Sequence, residues 1–126
     1  MKKGISILLL LCLVTLTLWA QKPTQKDSIV FTQLTHDYGT IKKGSPGKCE
    51  FQFTNKMKKA LVIFNVKASC GCTVPDYPKN PIAPGEKGII RVKYNTSTVG
   101  RFNKTLTVSS NARNSNVELK IKGKVK

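Results

Sequence analysis

Residues 48–54, Lys48-Cys49-Glu50-Phe51-Gln52-Phe53-Thr54, decide the fold class. Cys49, Phe51 and Phe53 alternate with Lys48, Glu50, Gln52 and Thr54, which is the two-residue period of a strand with one buried face and one wet face. A surface helix would instead place apolar residues three and four apart. The alternation recurs downstream. Val117, Leu119 and Ile121 oppose Glu118, Lys120 and Lys122; Phe102, Leu106 and Val108 oppose Arg101, Asn103, Thr105 and Thr107; Ile90, Val92 and Tyr94 oppose Arg91 and Lys93. These four segments are expected to form antiparallel, half-buried strands.

The remaining strands are shorter or less patterned. Residues 60–68 (ALVIFNVKA) begin apolar on both parities, so a central strand is expected, facing inward through Val62, Phe64 and Val66. Segments Ser28 to Thr32 and Tyr38 to Lys42 bring the total to about seven. Turn chemistry separates the strands at Lys43 to Gly47 (KGSPG), Asn55 to Lys59, Ala83 to Glu86 (APGE, spaced for a type II turn) and Ser110 to Asn116. The expectation is an all-β, immunoglobulin-like β-sandwich of about seven antiparallel strands, although the antibody pattern of two cysteines flanking a tryptophan is absent.

Length and charge fit one such domain. The chain has 126 residues and a formal net charge of +16. It is too apolar for a disordered tail and too short for a multidomain enzyme or a multi-spanning transporter. Lys2 and Lys3 precede the apolar run Ile5 to Ala20, so residues 1–20 read as a secretory signal peptide, short for a membrane span and interrupted by Thr15 and Thr17. Cys12 lacks the small residue before it that lipidation needs. Residues 21–27 read as a linker and 28–126 as the sandwich domain, exported to the periplasm, the outer surface or the medium and not membrane-spanning once the signal is removed. Without the signal the formal charge is +14, and 9 Val, 7 Ile and 10 Thr stand against 4 Leu. That β-branched excess favours strands.

The order HDYGTI, FQFTN, ALVI, ASCGCT, IAPGEKG and GRFNKTLTVSSN spans nearly all of the mature chain. It resembles a bacterial family of secreted Ig-like domains of unknown function that carries a Ser-Cys-Gly-Cys-Thr signature and is related to Hydin-type Ig-like domains. The resemblance implies a seven-stranded Ig-like sandwich exported from a bacterial cell. It implies no activity.

Cys70-Gly71-Cys72 is the one chemically pointed motif. Extended, the two α-carbons would lie about 6.6 to 7 Å apart; a disulfide needs about 5.5 to 6 Å, and Gly71 permits the bend. In an oxidising compartment such a small bridge is of the exchange-competent kind. Three alternatives stand beside it: a bond from one of the pair to Cys49, free thiols, or two thiolates holding a soft ion such as Cu(I). Cys49 shares the parity of Phe51 and Phe53, which makes it a candidate core residue as well.

His36 is the only histidine, the six carboxylates show no pairing for acid and base work, and no phosphate loop or nucleophile elbow occurs. No enzyme activity and no cofactor are expected, thiol–disulfide exchange aside. The lysines on the polar parity of the last strand and at Lys56, Lys58 and Lys59 keep such a protein soluble or meet anionic glycan or lipid. Three arginines and no recognised binding motif speak against nucleic acid. The sequence thus points to an exported noncatalytic binding or assembly module with an envelope protein or an anionic glycan or lipid as partner. The alternative is a small thiol-redox or Cu(I)-binding protein acting through Cys70 and Cys72.

Overall fold

The computed structural model describes residues 27–126. The expected signal peptide, Cys12 and nearly all of the linker lie outside the described residues. Eight strands follow in order: β1 (Ile29–Phe31), β2 (Thr35–Ile41), β3 (Lys48–Asn55), β4 (Ile63–Ala68), β5 (Thr73–Asp76), β6 (Lys87–Tyr94), β7 (Gly100–Ser110) and β8 (Asn116–Val125). They form two four-stranded sheets, β1-β3-β6-β5 and β2-β8-β7-β4. No helix occurs among the described residues. The chain is the all-β, Ig-like sandwich that the alternation implies.

The core lies between the sheets and is built from the parities read above. Phe51 and Phe53 of β3, Ile90 and Val92 of β6, Leu106 and Val108 of β7, and Leu119 and Ile121 of β8 are all buried. Full burial of each such side chain is worth about 1.5 to 3 kcal/mol, so these two facing rows dominate the stability of the domain. The APGE turn closes through the Glu86 N–H donating to the Ala83 carbonyl at 3.0 Å, with Gly85 at φ +78°. That positive φ at the third turn position is what type II geometry requires.

Three local features differ from the sequence reading. First, β2 runs parallel to β8, while the other pairings are antiparallel. Its alternation carries a direction-neutral signal, and β2 continues the chain from β1 after a break at residues 32–34 that moves it to the other sheet.

Second, residues 73–76, which are not among the strands read from the sequence, form the edge strand β5. Pro75 there is opposite Val92. An edge strand tolerates proline because its missing donor can face away from the ladder.

Third, β4 is an edge strand and not a central one. Phe64 is 62% exposed, whereas Ile63 and Val66 are buried. A register irregularity between Ile63 and Asn65 switches the parity. The apolar start of this segment has another cause: Leu61, ahead of β4, is fully buried and pairs with Ile82, donating and accepting backbone bonds of 2.8 Å.

Candidate functional site

One end of the sandwich gathers the motif that the sequence singles out. Ser69 leaves β4 by donating its N–H to the Thr105 carbonyl at 2.8 Å, and its hydroxyl accepts the Thr105 N–H at 3.2 Å. The chain then turns through Cys70, Gly71 and Cys72 before entering β5. The Thr73 N–H reaches back to the Cys70 carbonyl at 3.4 Å, and the Cys72 carbonyl accepts the Asn95 N–H at 2.8 Å. The loop is therefore tied both to β7 and to the segment after β6.

Within it the Cys70 and Cys72 sulfur atoms are joined, with α-carbons 5.4 Å apart. Gly71 is exposed at the apex, and apart from its two chain neighbours nothing stands within 4 Å of where a Cβ would be. The buried Thr73 hydroxyl lies 3.8 Å from the Cys70 sulfur and 4.0 Å from that of Cys72. Two further loops meet this knuckle. The Thr96 hydroxyl donates to the Ser45 carbonyl at 2.6 Å, and the Gly44 N–H to the Thr96 carbonyl at 3.2 Å. Gly44, Ser45, Gly71, Cys72, Val74 and Asn95 are among the residues lining a groove of about 500 Å³. Val74, 61% exposed, lines it, and Val99, 59% exposed, closes the same β6–β7 connection.

Beneath the loops lies an aromatic floor. Tyr94 of β6 stacks on Phe102 of β7 with centroids 3.9 Å apart, joining the two sheets, and Tyr38 of β2 packs on Phe102 at 5.6 Å. The Tyr38 hydroxyl donates to the Gly47 carbonyl at 2.8 Å. Burial pushes the Tyr38 phenol well above its ordinary range, and the neighbouring Cys49 thiol adds to the rise.

Cys49, the alternative disulfide partner, is a free thiol on the inner face of β3, buried among the core residues. Burial pushes this thiol up, against a hydrogen bond with Tyr38 that pulls it down. A thiol raised in the fold contributes stability in full below about pH 8.5, where the unfolded thiol is also protonated, and loses it as pH rises through the folded value. The thermal midpoint is therefore expected to fall more between about pH 8.5 and pH 10 in the native protein than in Cys49→Val. Equal slopes in the two proteins would remove the thiol as the cause.

The other candidates separate from this site. His36 sits half-buried on β2, edge-on to Tyr38 at 4.6 Å. Glu50 pairs with Arg91 at 3.3 Å on the surface, and the Asp37 carboxylate accepts the Gly39 N–H at 2.8 Å. Among the described residues no three His, Cys, Asp or Glu side chains converge as a metal site would need. Sequence reasoning missed the 43–47 and 95–97 loops as neighbours of the cysteine knuckle. Those segments carry turn residues, and only the sheet register brings them together.

A family model described as "Protein of unknown function (DUF1573)" matches residues 29–125. The chain belongs to this family. No curated protein sequence matches this DUF1573 chain. Its fold is similar to a protein of unknown function from Porphyromonas gingivalis W83, with a TM-score of 0.67 at 14% identity, over 86% of this chain and 51% of that one. It is similar as well to the ASH / PapD-like domain 7 of human CEP192, with a TM-score of 0.67 at 5% identity over 90% and 95% of the two chains. The YadV chaperone matches with a TM-score of 0.57 at 14% identity over 79% and 52%. The DUF1573 chain thus spans about half the length of the P. gingivalis protein and of YadV. At such identities the likeness is one of fold.

Proposed function

We propose that this protein is an exported, noncatalytic binding or assembly module of the bacterial envelope, and that it engages a protein partner at the loop end carrying Cys70, Gly71 and Cys72. The observation that carries the reading is the grouping of a disulfide-braced knuckle, a groove of about 500 Å³ and the exposed Val74 at one end of a rigid sandwich. Binding residues concentrate on loops held by such scaffolds. Exposed apolar side chains beside ordered backbone provide the contact area that a partner desolvates. The likeness in fold to the YadV chaperone supports a role in protein contact. The signal-like residues 1–20 support export.

A second reading, thiol exchange or Cu(I) binding, is favoured by one specific feature: the bridge spans a single exposed glycine between two half-buried cysteines at the loop end. A photo-crosslinker at Val74, with one at Gln52 on the outer face of β3 as the control, separates the readings when used in the native envelope. The binding reading expects one discrete adduct from position 74 and none from 52. It also expects Cys70→Ser/Cys72→Ser to fold, because closing so short a loop is worth only about 1.5 kcal/mol. Single cysteine variants that trap a reducible mixed disulfide, or copper that remains with the wild type through purification, would transfer the weight to the second reading. Matching adducts from 52 and 74 would sink the first.

A further inference from the structure

The outer face of the second sheet holds a charge pattern that the loop end does not use. Leu119, Ile121 and Val125 of β8 point into the core, so Lys120, Lys122 and Lys124 stand out in solvent. Alternate residues of a strand rise about 6.8 Å apart, and the three ammonium groups therefore form a row. The register extends it sideways, because Arg101 of β7 lies directly opposite Lys124. Like charges directly opposite each other destabilise an antiparallel pair. Across β2, Lys124 faces Thr40, while Lys122 faces Asp37, whose carboxylate already accepts the Gly39 N–H.

Lysine on a strand commonly guards an exposed edge against pairing with another chain. That explanation does not reach β8, which lies inside the order β2-β8-β7-β4. The cations instead rim an open groove of about 480 Å³, where Arg101, Lys122 and Lys124 stand around Gly39 and Gly123. On the flanks the register sets hydroxyls and an amide beside the row: Thr35 and Thr40 on β2, Asn103 and Thr105 on β7.

We propose that this face binds a linear acidic polysaccharide laid along β8, its carboxylates on Lys120, Lys122, Lys124 and Arg101 and its hydroxyls on the flanking Thr and Asn side chains. Charge complementarity and the hydroxyl-bearing flanks select this occupant. A lipid surface would ask for apolar side chains set among the cations, yet the exposed large apolar residues are Leu34, Phe64, Val74 and Val99, none of them on these rows. Single-stranded nucleic acid would ask for exposed rings on which bases stack. Here Phe102 is buried and the Tyr38 hydroxyl turns to Gly47.

The test is titration of the purified protein with hexagalacturonate at low ionic strength, beside its neutral methyl ester, phosphatidylglycerol vesicles and an oligothymidylate. Hexagalacturonate is expected to bind, and the neutral ester is not. The triple variant Lys120→Gln/Lys122→Gln/Lys124→Gln is expected to weaken binding by about tenfold. A matched triple, Lys56→Gln/Lys58→Gln/Lys59→Gln, removes the same charge from the β3–β4 connection and is expected to change the affinity less than about twofold. Arg101→Gln gives an independent reading from the neighbouring strand, with a smaller loss of the same sign. The thermal midpoint of the β8 triple should stay near that of the wild type, since relief of the Lys124–Arg101 opposition offsets the loss of the Lys122–Asp37 one, so a lost affinity is not lost folding. Equal weakening by both triples would reduce the effect to net charge and overturn the site. Binding of the vesicles or the oligonucleotide in preference to hexagalacturonate would overturn the assigned occupant.

Discussion

Replacing Asn55 with Leu is expected to lower the unfolding free energy by about 3 to 5 kcal/mol, a large share of the roughly 5 to 15 kcal/mol that stabilises a domain. Asn55 ends β3 and is fully buried. Its side-chain amide donates to the Lys59 and Ile82 carbonyls at 2.9 Å each, and its side-chain oxygen accepts the Met57 N–H at 2.8 Å. Its backbone N–H donates to the Glu86 carbonyl at 2.9 Å and its carbonyl accepts the Gly85 N–H at 2.8 Å. One residue thus holds the 55–59 turn, the approach to β4 and the APGE turn together. Leucine keeps the branched heavy-atom skeleton and supplies none of the polar partners. The Lys59 carbonyl and the Met57 N–H would lose their partner, each costing about 1 to 3 kcal/mol before relaxation, and the Ile82 carbonyl would keep only the Leu61 N–H.

Asn55→Asp separates this account from simple packing loss. The aspartate keeps the acceptor for Met57 but loses both donors and brings a charge into the core. Its folded pKa must rise, so the variant should be closest to wild type below the unfolded value of about 3.9 and fall away as pH increases through the folded value. Denaturant unfolding of both variants near pH 4 and pH 7 checks the pattern. A cost under about 1 kcal/mol for Asn55→Leu, or an Asn55→Asp deficit that does not grow with pH, would show that the hub is dispensable.

The sequence made the two facing rows of the core legible because each of β3, β6, β7 and β8 has one wet face and one dry face, and period two survives any choice of partner. Direction does not leave such a trace, which is why the parallel β2–β8 pair could not be read from HDYGTI. β4 misled for a related reason: a bulge at Ile63 to Asn65 inverts the parity in mid-strand, and Phe64 reads as core until the bulge is known. Asn55 carried no apolar signal at all. Its role depends on Ile82, 27 residues away, and polar hubs of that kind become visible only when the backbone groups they satisfy are brought together. At the loop end, the motif Cys70-Gly71-Cys72 was legible as chemistry. Its neighbours Ser45 and Thr96, 51 residues apart, were not.

Gly47→Ala is expected to cost about 3 to 4 kcal/mol and to disturb the loop end as well as the fold. Gly47 closes the β2–β3 turn at φ +61° and is buried. A Cβ there would overlap the Tyr94 backbone carbonyl oxygen and stand 3.0 Å from the Thr96 methyl carbon. Left-handed backbone alone costs an alanine about 1 to 2 kcal/mol. The rest comes from moving the turn, because the Gly47 carbonyl accepts both the Tyr94 N–H and the Tyr38 hydroxyl at 2.8 Å. Gly85→Ala supplies the reference: its φ is +78°, but nothing stands within 4 Å of the added carbon, so only the backbone cost of about 1 to 2 kcal/mol is expected. Parallel denaturant titrations measure the difference, and equal costs at the two positions would refute the close approach. The functional consequence follows the same contacts. If the turn moves, Ser45 draws away from Thr96, and with it the 95–97 segment that holds the Cys72 carbonyl. Crosslinking from Val74 should therefore fall in Gly47→Ala under conditions where the protein is still folded, while Gly85→Ala, at the opposite end, leaves it unchanged.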